Sequence, residues 1–183
     1  MIQASAVRTR CPEALVTAVR SATARHADWP QTAGLVADQL RLHLPGPEIL
    51  TASEREGSPD GYVCRTLHTE PDGAFSVCAV VWRPGQQTPI HDHVTWCVVG
   101  VLQGAEHEEL FALRDGETAL EQVGSRVNVT GEVGGFAPPG DIHRVTNDGA
   151  GVAISVHVYG ADITRLGSSV RRTYDLPVLA RTR

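Results

Sequence analysis

The sequence predicts a mainly β chain, an antiparallel barrel with a helical annex at its N-terminal end. Two observations predict it. Up to the cluster Pro45-Gly46-Pro47, apolar residues recur at helical spacing; beyond it, short runs of strand-forming residues are separated by turns containing Gly, Asp and Pro.

In chain order, Pro12 opens a first helix whose Leu15, Ala18, Val19 and Ala22 recur at helical spacing, since residues three and four apart are neighbours on a helix. A second helix carries Leu35, Val36 and Leu40 and stops at the proline cluster, because proline has no N–H to continue the ladder. Residues 50–60 are polar and contain Gly57 and Pro59, so they read as the junction. Strands are expected over 62–68, 75–82, 95–102, 106–113 and 151–159, with turns such as Arg83-Pro84-Gly85 and Asn147-Asp148-Gly149 between them. The last strand alternates strictly: Ile154, Val156 and Val158 on one face, Ser155, His157 and Tyr159 on the other. If the polar face lines a cavity, each residue needs a hydrogen-bond partner, and a chain from Ser155 through His157 to Tyr159 supplies them mutually. Glu106, His107, Glu108 and Glu109 form a charged strand with His107 at the surface, and Trp82 and Trp96 read as barrel packing.

With 183 residues and 42% apolar content, one domain is expected, with helices over about 1–50 and the barrel and a C-terminal extension over about 55–183. The net charge of −5, without a basic run, excludes a nucleic-acid partner. The first twenty residues include Arg8, Arg10, Glu13 and Arg20 and lack an apolar core of signal-peptide length. No window approaches a membrane span, so no membrane partner and a cytoplasmic location are expected. Cys11, Cys64, Cys78 and Cys97 form no C-x-x-C pair and are expected to be reduced. The expected assembly is a monomer or a weak homo-oligomer.

The most specific feature is His91-Asp92-His93. Side chains two apart on a strand point the same way, so His91 and His93 share a face while Asp92 points away and braces a neighbouring strand. Two adjacent imidazoles resist being charged together, but as neutral donors they can share a divalent metal. A third ligand is available in Pro138-Pro139-Gly140-Asp141-Ile142-His143, where a Pro/Gly turn delivers a histidine to the head of a short apolar strand.

These segments resemble the two motifs of the cupin superfamily. Gly85, His91, His93 and Gly104 fall on the first, and Pro138, Gly140, His143 and Asn147 on the second. The leading glycine of the second motif is displaced, with Glu132 at its place and Gly131 and Gly134 beside it. Cys97 stands where the cupin carboxylate ligand would be, which leaves three histidines. Within that class the chain is similar to the thiol dioxygenases of the cysteine dioxygenase family. The similarity rests on Tyr62, Arg65, His91-Asp92-His93, Leu102-Gln103-Gly104, His143-Arg144-Val145 and the alternating Ser155, His157 and Tyr159, across about residues 60 to 160.

The resemblance implies a jelly-roll barrel holding Fe(II) on His91, His93 and His143, with a small thiol and O2 as substrates. Three neutral imidazoles leave the metal its full charge, which suits an anionic thiolate, and metal contact lowers the thiol pKa. Both oxygen atoms go to sulfur to give a sulfinic acid, with the sulfur supplying all the electrons. By the same resemblance Tyr159, with His157 and Ser155, is a catalytic relay, Arg65 holds the substrate carboxylate, and Tyr62 adds a hydroxyl. Arg65 points to L-cysteine, oxidised to cysteine sulfinic acid. The alternative is 3-mercaptopropionate or another small thiol, with an arginine such as Arg165, Arg171 or Arg172 as the anchor. Cys97 matches a family cysteine that forms a thioether with the tyrosine at the place of Tyr159; the competing reading is a small buried thiol filling the space of the missing carboxylate. A non-oxygenase metal-binding cupin, a sensor or an isomerase, is the alternative of a different class.

Overall fold

The structure, a computed structural model, describes residues 11–114 and 116–179; the part of the expected annex before Cys11 lies outside them. Helix α1 (Glu13–Thr23) starts after Pro12 and buries Leu15, Val16, Val19 and Ala22. Helix α2 (Trp29–Leu42) is capped by Asp28, whose carboxylate accepts from Gln31 N at 2.9 Å, and buries Ala33, Val36, Ala37 and Leu40. The junction is more ordered than its polarity suggests. A 3-10 turn (Pro47–Ile49) leads into the single-turn α3 (Ala52–Arg55), which Thr51 and Glu54 close with a reciprocal capping box.

Two sheets face each other. The first has the order β1 (Val63–Thr69), β2 (Ser76–Trp82), β9 (Ala153–Tyr159), β4 (Cys97–Gln103) and β7 (Val133–Phe136). The second has the order β10 (Val170–Thr173), β3 (His91–His93), β8 (His143–Thr146), β5 (Ala105–Arg114), β6 (Ala119–Val129) and β11 (Val178–Leu179). All pairings are antiparallel except that of β11 with β6. A short helix, α4 (Ile163–Leu166), links β9 to β10.

The main core lies outside the cavity, between the helices and the first sheet. Val77, Ala79 and Val81 of β2, Val98 of β4 and Ile154, Val156 and Val158 of β9 pack with Leu15, Val19, Val36 and Leu40. Contact is close at Gly100, where an added Cβ would sit 2.5 Å from Leu44 and 3.2 Å from Leu40. Strand alternation then turns the other half of each strand inward. Cys78, Val80 and Trp82, Cys97, Val99 and Val101, and Ser155, His157 and Tyr159 share the inner face.

The second sheet is apolar on its outer side as well, because the C-terminal segment covers it: Tyr174 packs with Ile90, Phe111, Leu120 and Ile142. Asp92 faces this side and braces β10, accepting from the Tyr174 hydroxyl at 2.7 Å and from the Arg171 guanidinium. In β6 an extra residue, Val123, breaks the register between the pairs Leu110↔Gly124 and Phe111↔Gln122. The break turns Arg126 and Asn128 inward while Leu120 stays on the outer side. Among the described residues no helix is long and apolar enough to cross a membrane.

Candidate metal centre

β3 and β8 are paired at His91↔His143, so the three histidines converge on one spot between the sheets. Their ring centroids are 4.7 Å (His91–His93), 4.7 Å (His91–His143) and 5.0 Å (His93–His143) apart. One potential ligand atom from each lies within 4.8 Å of the others, and all three side chains are buried.

Each ring is held from behind. His91 Nδ1 is 2.9 Å from the carbonyl oxygen of Pro89, His93 Nδ1 is 3.0 Å from Asp141 Oδ2, and His143 Nδ1 is 2.7 Å from Glu108 Oε1. Three acceptors behind three Nδ1 atoms fix the Nδ1–H tautomer and leave every Nε2 lone pair for the centre. This donor set fits a divalent metal bound by neutral imidazoles. Burial brings His91 down to about 3, helped by repulsion from His143 and His93, and burial likewise lowers His93. His91 and His93 are therefore neutral, as ligands must be.

Nothing in the sequence marks Glu108 as a partner of the histidines. It reads there as one of four residues on a charged strand, and the structure adds its direction: Glu106 and Glu108 are 2% and 4% exposed and both line the cavity, while His107 meets Ser125 and Asp148 outside. Burial opposes the charge on Glu108, but His143 and Arg126 outweigh it and hold the carboxyl down at about 2. Arg126 Nε donates to Glu108 Oε2 at 2.6 Å from the facing position on β6, and Asn128 Nδ2 donates to the same oxygen at 3.2 Å. Asp141 also accepts from the backbone N–H of His93 at 2.9 Å; its burial is likewise outweighed by these bonds, and its carboxyl is lowered. Asp141 does carry a signal, its position two residues before His143 in the second motif.

Ser155, His157 and Tyr159 form a continuous chain on the inner face of β9. The Ser155 hydroxyl is 2.9 Å from His157 Nε2, and the Tyr159 hydroxyl is 3.1 Å from His157 Nδ1. Burial lowers His157 to about 3 and pushes the Tyr159 phenol well up, so both are neutral. Cys97 is the direct cross-strand partner of Tyr159, fully buried, with its thiol raised chiefly by that burial. The cavity has a volume of about 210 Å³, and the three histidines, His157, Tyr159, Tyr62 and Phe136 are among the residues that line it.

Arg65 does not reach this cavity, contrary to the sequence expectation. Its direct partner on β2 is Ala79, which packs in the helix-side core, so Arg65 is on the outer face of the sheet with Nη1 4.0 Å from Glu54 Oε1. The preceding residue, Cys64, takes the inward place, and Tyr62 lies inward too, its ring 4.5 Å from that of Trp82. A strand's period of two makes a one-residue difference decisive. The other candidates do not reach the cavity either. Arg165 is exposed on α4, Arg171 is bonded to Asp92 on the outer side, and Arg172 stacks 4.5 Å from the Tyr174 ring. Among the described residues lining the cavity, the sole arginine is Arg126.

Two facing sheets around three inward imidazoles define a cupin-type metal protein. The family model for cysteine dioxygenase type I matches residues 59–167, more than half of the sequence, and the chain belongs to that family. It is also similar to an oxalate oxidase solved with the substrate analogue glycolate (24% identity, 57% of this chain and 53% of that one, TM-score 0.46). A second similar structure is an uncharacterized protein with a double-stranded β-helix domain from Klebsiella pneumoniae (16%, 62% and 89%, TM-score 0.47). A third is TT1209 from Thermus thermophilus (18%, 61% and 96%, TM-score 0.44). The match spans about half the length of the oxalate oxidase chain.

Proposed function

We propose that the protein is a mononuclear Fe(II) thiol dioxygenase that converts a small thiol to its sulfinic acid with O2. The observation that carries the proposal is the three imidazoles, each anchored through Nδ1, facing the same cavity as the hydroxyl of Tyr159. Bound at His91, His93 and His143, iron would supply the Lewis acidity that favours a thiolate and the redox chemistry that activates O2.

The chain's own residues account for the rest. Apolar Val80, Val99, Val101 and Phe136 limit water around the reacting sulfur. Tyr159 holds a hydroxyl at the cavity wall, with His157 and Ser155 fixing its direction. A substrate carboxylate meets Arg126, whose Nε is fixed by Glu108 and whose terminal nitrogens provide charge-assisted donors. Tyr62 also lines the cavity.

L-Cysteine is the first substrate proposed, giving cysteine sulfinic acid. The placement of Arg65 outside the cavity favours a second reading, 3-mercaptopropionate, because the residue expected to select cysteine does not line the site. Oxygen uptake by the Fe(II)-loaded protein with L-cysteine, 3-mercaptopropionate and cysteamine, each offered separately, tests the proposal. Uptake with a carboxylate-bearing thiol is expected; no uptake with any of the three eliminates a thiol dioxygenase.

A further inference from the structure

Glu106 lines the cavity that the three histidines face, yet it takes no part in holding them. It stands on the inner face of β5 at 2% exposure, and its Oε1 accepts no hydrogen bond. Trp82 Nε1, also buried and at the same cavity, donates none, so the two orphaned atoms do not satisfy each other. A carboxylate oxygen buried without a donor is costly, and the donors nearest to hand are spent elsewhere. Asn128 occupies the facing position on β6 but gives its amide to Glu108 at 3.2 Å. Arg126, the sole arginine among the described residues lining the cavity, is held by the same carboxylate at 2.6 Å. Glu108 thus collects His143, Arg126 and Asn128, while Oε1 of Glu106, two residues along the same face, has no donor among the described residues.

We propose that Glu106 is the ammonium-binding residue of this cavity, so that the molecule it selects is a small thiol carrying a primary amine. The thiol part rests on the dioxygenase reading; the amine part rests on Glu106.

An ammonium group answers both needs of this carboxylate. It brings N–H donors to the unpaired oxygen, and its charge offsets the carboxylate's away from water. Burial raises the Glu106 carboxyl to about 7, and a cation beside it favours the charged form. The aromatic wall suits a cation as well. Trp82 lines the cavity with the Tyr62 ring 4.5 Å from its own, and the faces of such rings attract ammonium groups.

The two charges on this wall have opposite signs and a fixed order. Arg126 faces Glu108 across β5 and β6, and Glu106 lies two residues, about 7 Å, further along β5. A small zwitterion fits that order, with its carboxylate toward Arg126 and its amine toward Glu106. 3-Mercaptopropionate supplies only the carboxylate, which Glu106 repels and whose absent amine leaves Oε1 unpaired. L-Cysteine supplies both groups.

The test measures binding without turnover. Calorimetry under anaerobic conditions on the full-length Fe(II)-loaded protein gives Kd for L-cysteine and for 3-mercaptopropionate, which differ by the amine. Wild type is expected to bind L-cysteine about 10- to 100-fold more tightly, the range for one hydrogen bond to a charged group. Glu106→Gln, which keeps the shape and removes the charge, should lose this preference by weakening L-cysteine. It should bind 3-mercaptopropionate at least as tightly as wild type does, which also shows that the variant is folded. Equal affinities in wild type overturn the proposal without recourse to a variant. A preference that Glu106→Gln retains overturns it too, since the amine is then held elsewhere. O2 is excluded throughout, so a protein that binds L-cysteine through Glu106 but consumes no O2 with any thiol would keep this subsite and lose the dioxygenase.

Discussion

Glu108 stands 2.7 Å behind His143, on the side of the ring away from the metal centre, and carries Arg126 at 2.6 Å on its other oxygen. An anionic acceptor at Nδ1 raises the basicity of Nε2 and fixes the ring, so the carboxylate should matter to the metal without touching it. Glu108→Gln is expected to weaken metal affinity by about 10- to 100-fold, with Asp141→Asn acting in the same way through His93. Competition against a chelator measures it. Affinity unchanged in both variants would show that the carboxylates do not tune the rings.

Arg126 lines the cavity, whereas Arg65, the carboxylate anchor expected from the resemblance, lies on the outer face of its sheet. Arg65→Ala should leave KM for a carboxylate-bearing thiol unchanged. Arg126→Gln should raise it by about 10- to 100-fold, the range for a lost hydrogen bond to a charged group. Because Arg126 also holds Glu108, iron content is determined alongside, and KM is compared at equal occupancy. The reverse pattern would return the carboxylate to Arg65.

Acid should destabilise the metal-free protein. His91 and His157 titrate near 3 when folded, below the ordinary 6.5, so between those values the unfolded chain binds more protons. Their contribution is complete above about pH 6.5 and is lost as pH falls toward 3. Glu106 acts in the opposite sense: its folded value of about 7 lies above the ordinary 4.5, so its contribution is complete below 4.5 and is lost as pH rises through 7. Two imidazoles outweigh one carboxyl, and Tm should fall from pH 6.5 to 4.5. In Glu106→Gln the fall should be steeper, since the offsetting carboxyl is gone. Calorimetry across this window checks the sign, and a rising Tm toward acid would contradict it.

Cys97 and Tyr159 face each other directly across β4 and β9. The expected outcome of turnover with iron and O2 is a thioether between the Cys97 sulfur and the Tyr159 ring. The thiol and the ring each lose one hydrogen, and O2 takes the electron pair. Intact mass before and after turnover, against Cys97→Ala as control, reads the change. An unchanged mass leaves Cys97 as a buried thiol packed beside the phenol.

Much of this site is legible in the sequence because its signals are local. His91 and His93 share a face through the period of a strand, the Pro/Gly turn announces His143, and Ser155, His157 and Tyr159 alternate cleanly with Ile154, Val156 and Val158. These patterns need no knowledge of what packs against them. The inward direction of β5 is not readable in that way. Phe111 is buried on the outer face because Tyr174, far later in the chain, covers it, so the apolar side of that strand does not mark the cavity. Glu106 and Glu108 therefore read only as members of a charged strand.

The same limit decided Arg65. A strand fixes that Cys64 and Arg65 face opposite ways, but only the pairing Arg65↔Ala79, with the helices packed behind it, says which of them faces the cavity. By itself the sequence determined the shared face of His91 and His93, the alternation of Ser155, His157 and Tyr159 and the β architecture, all written as short-range periodicities. Tertiary structure decided which polar side chains are buried behind and around them, because burial depends on segments distant in sequence that come to cover each face.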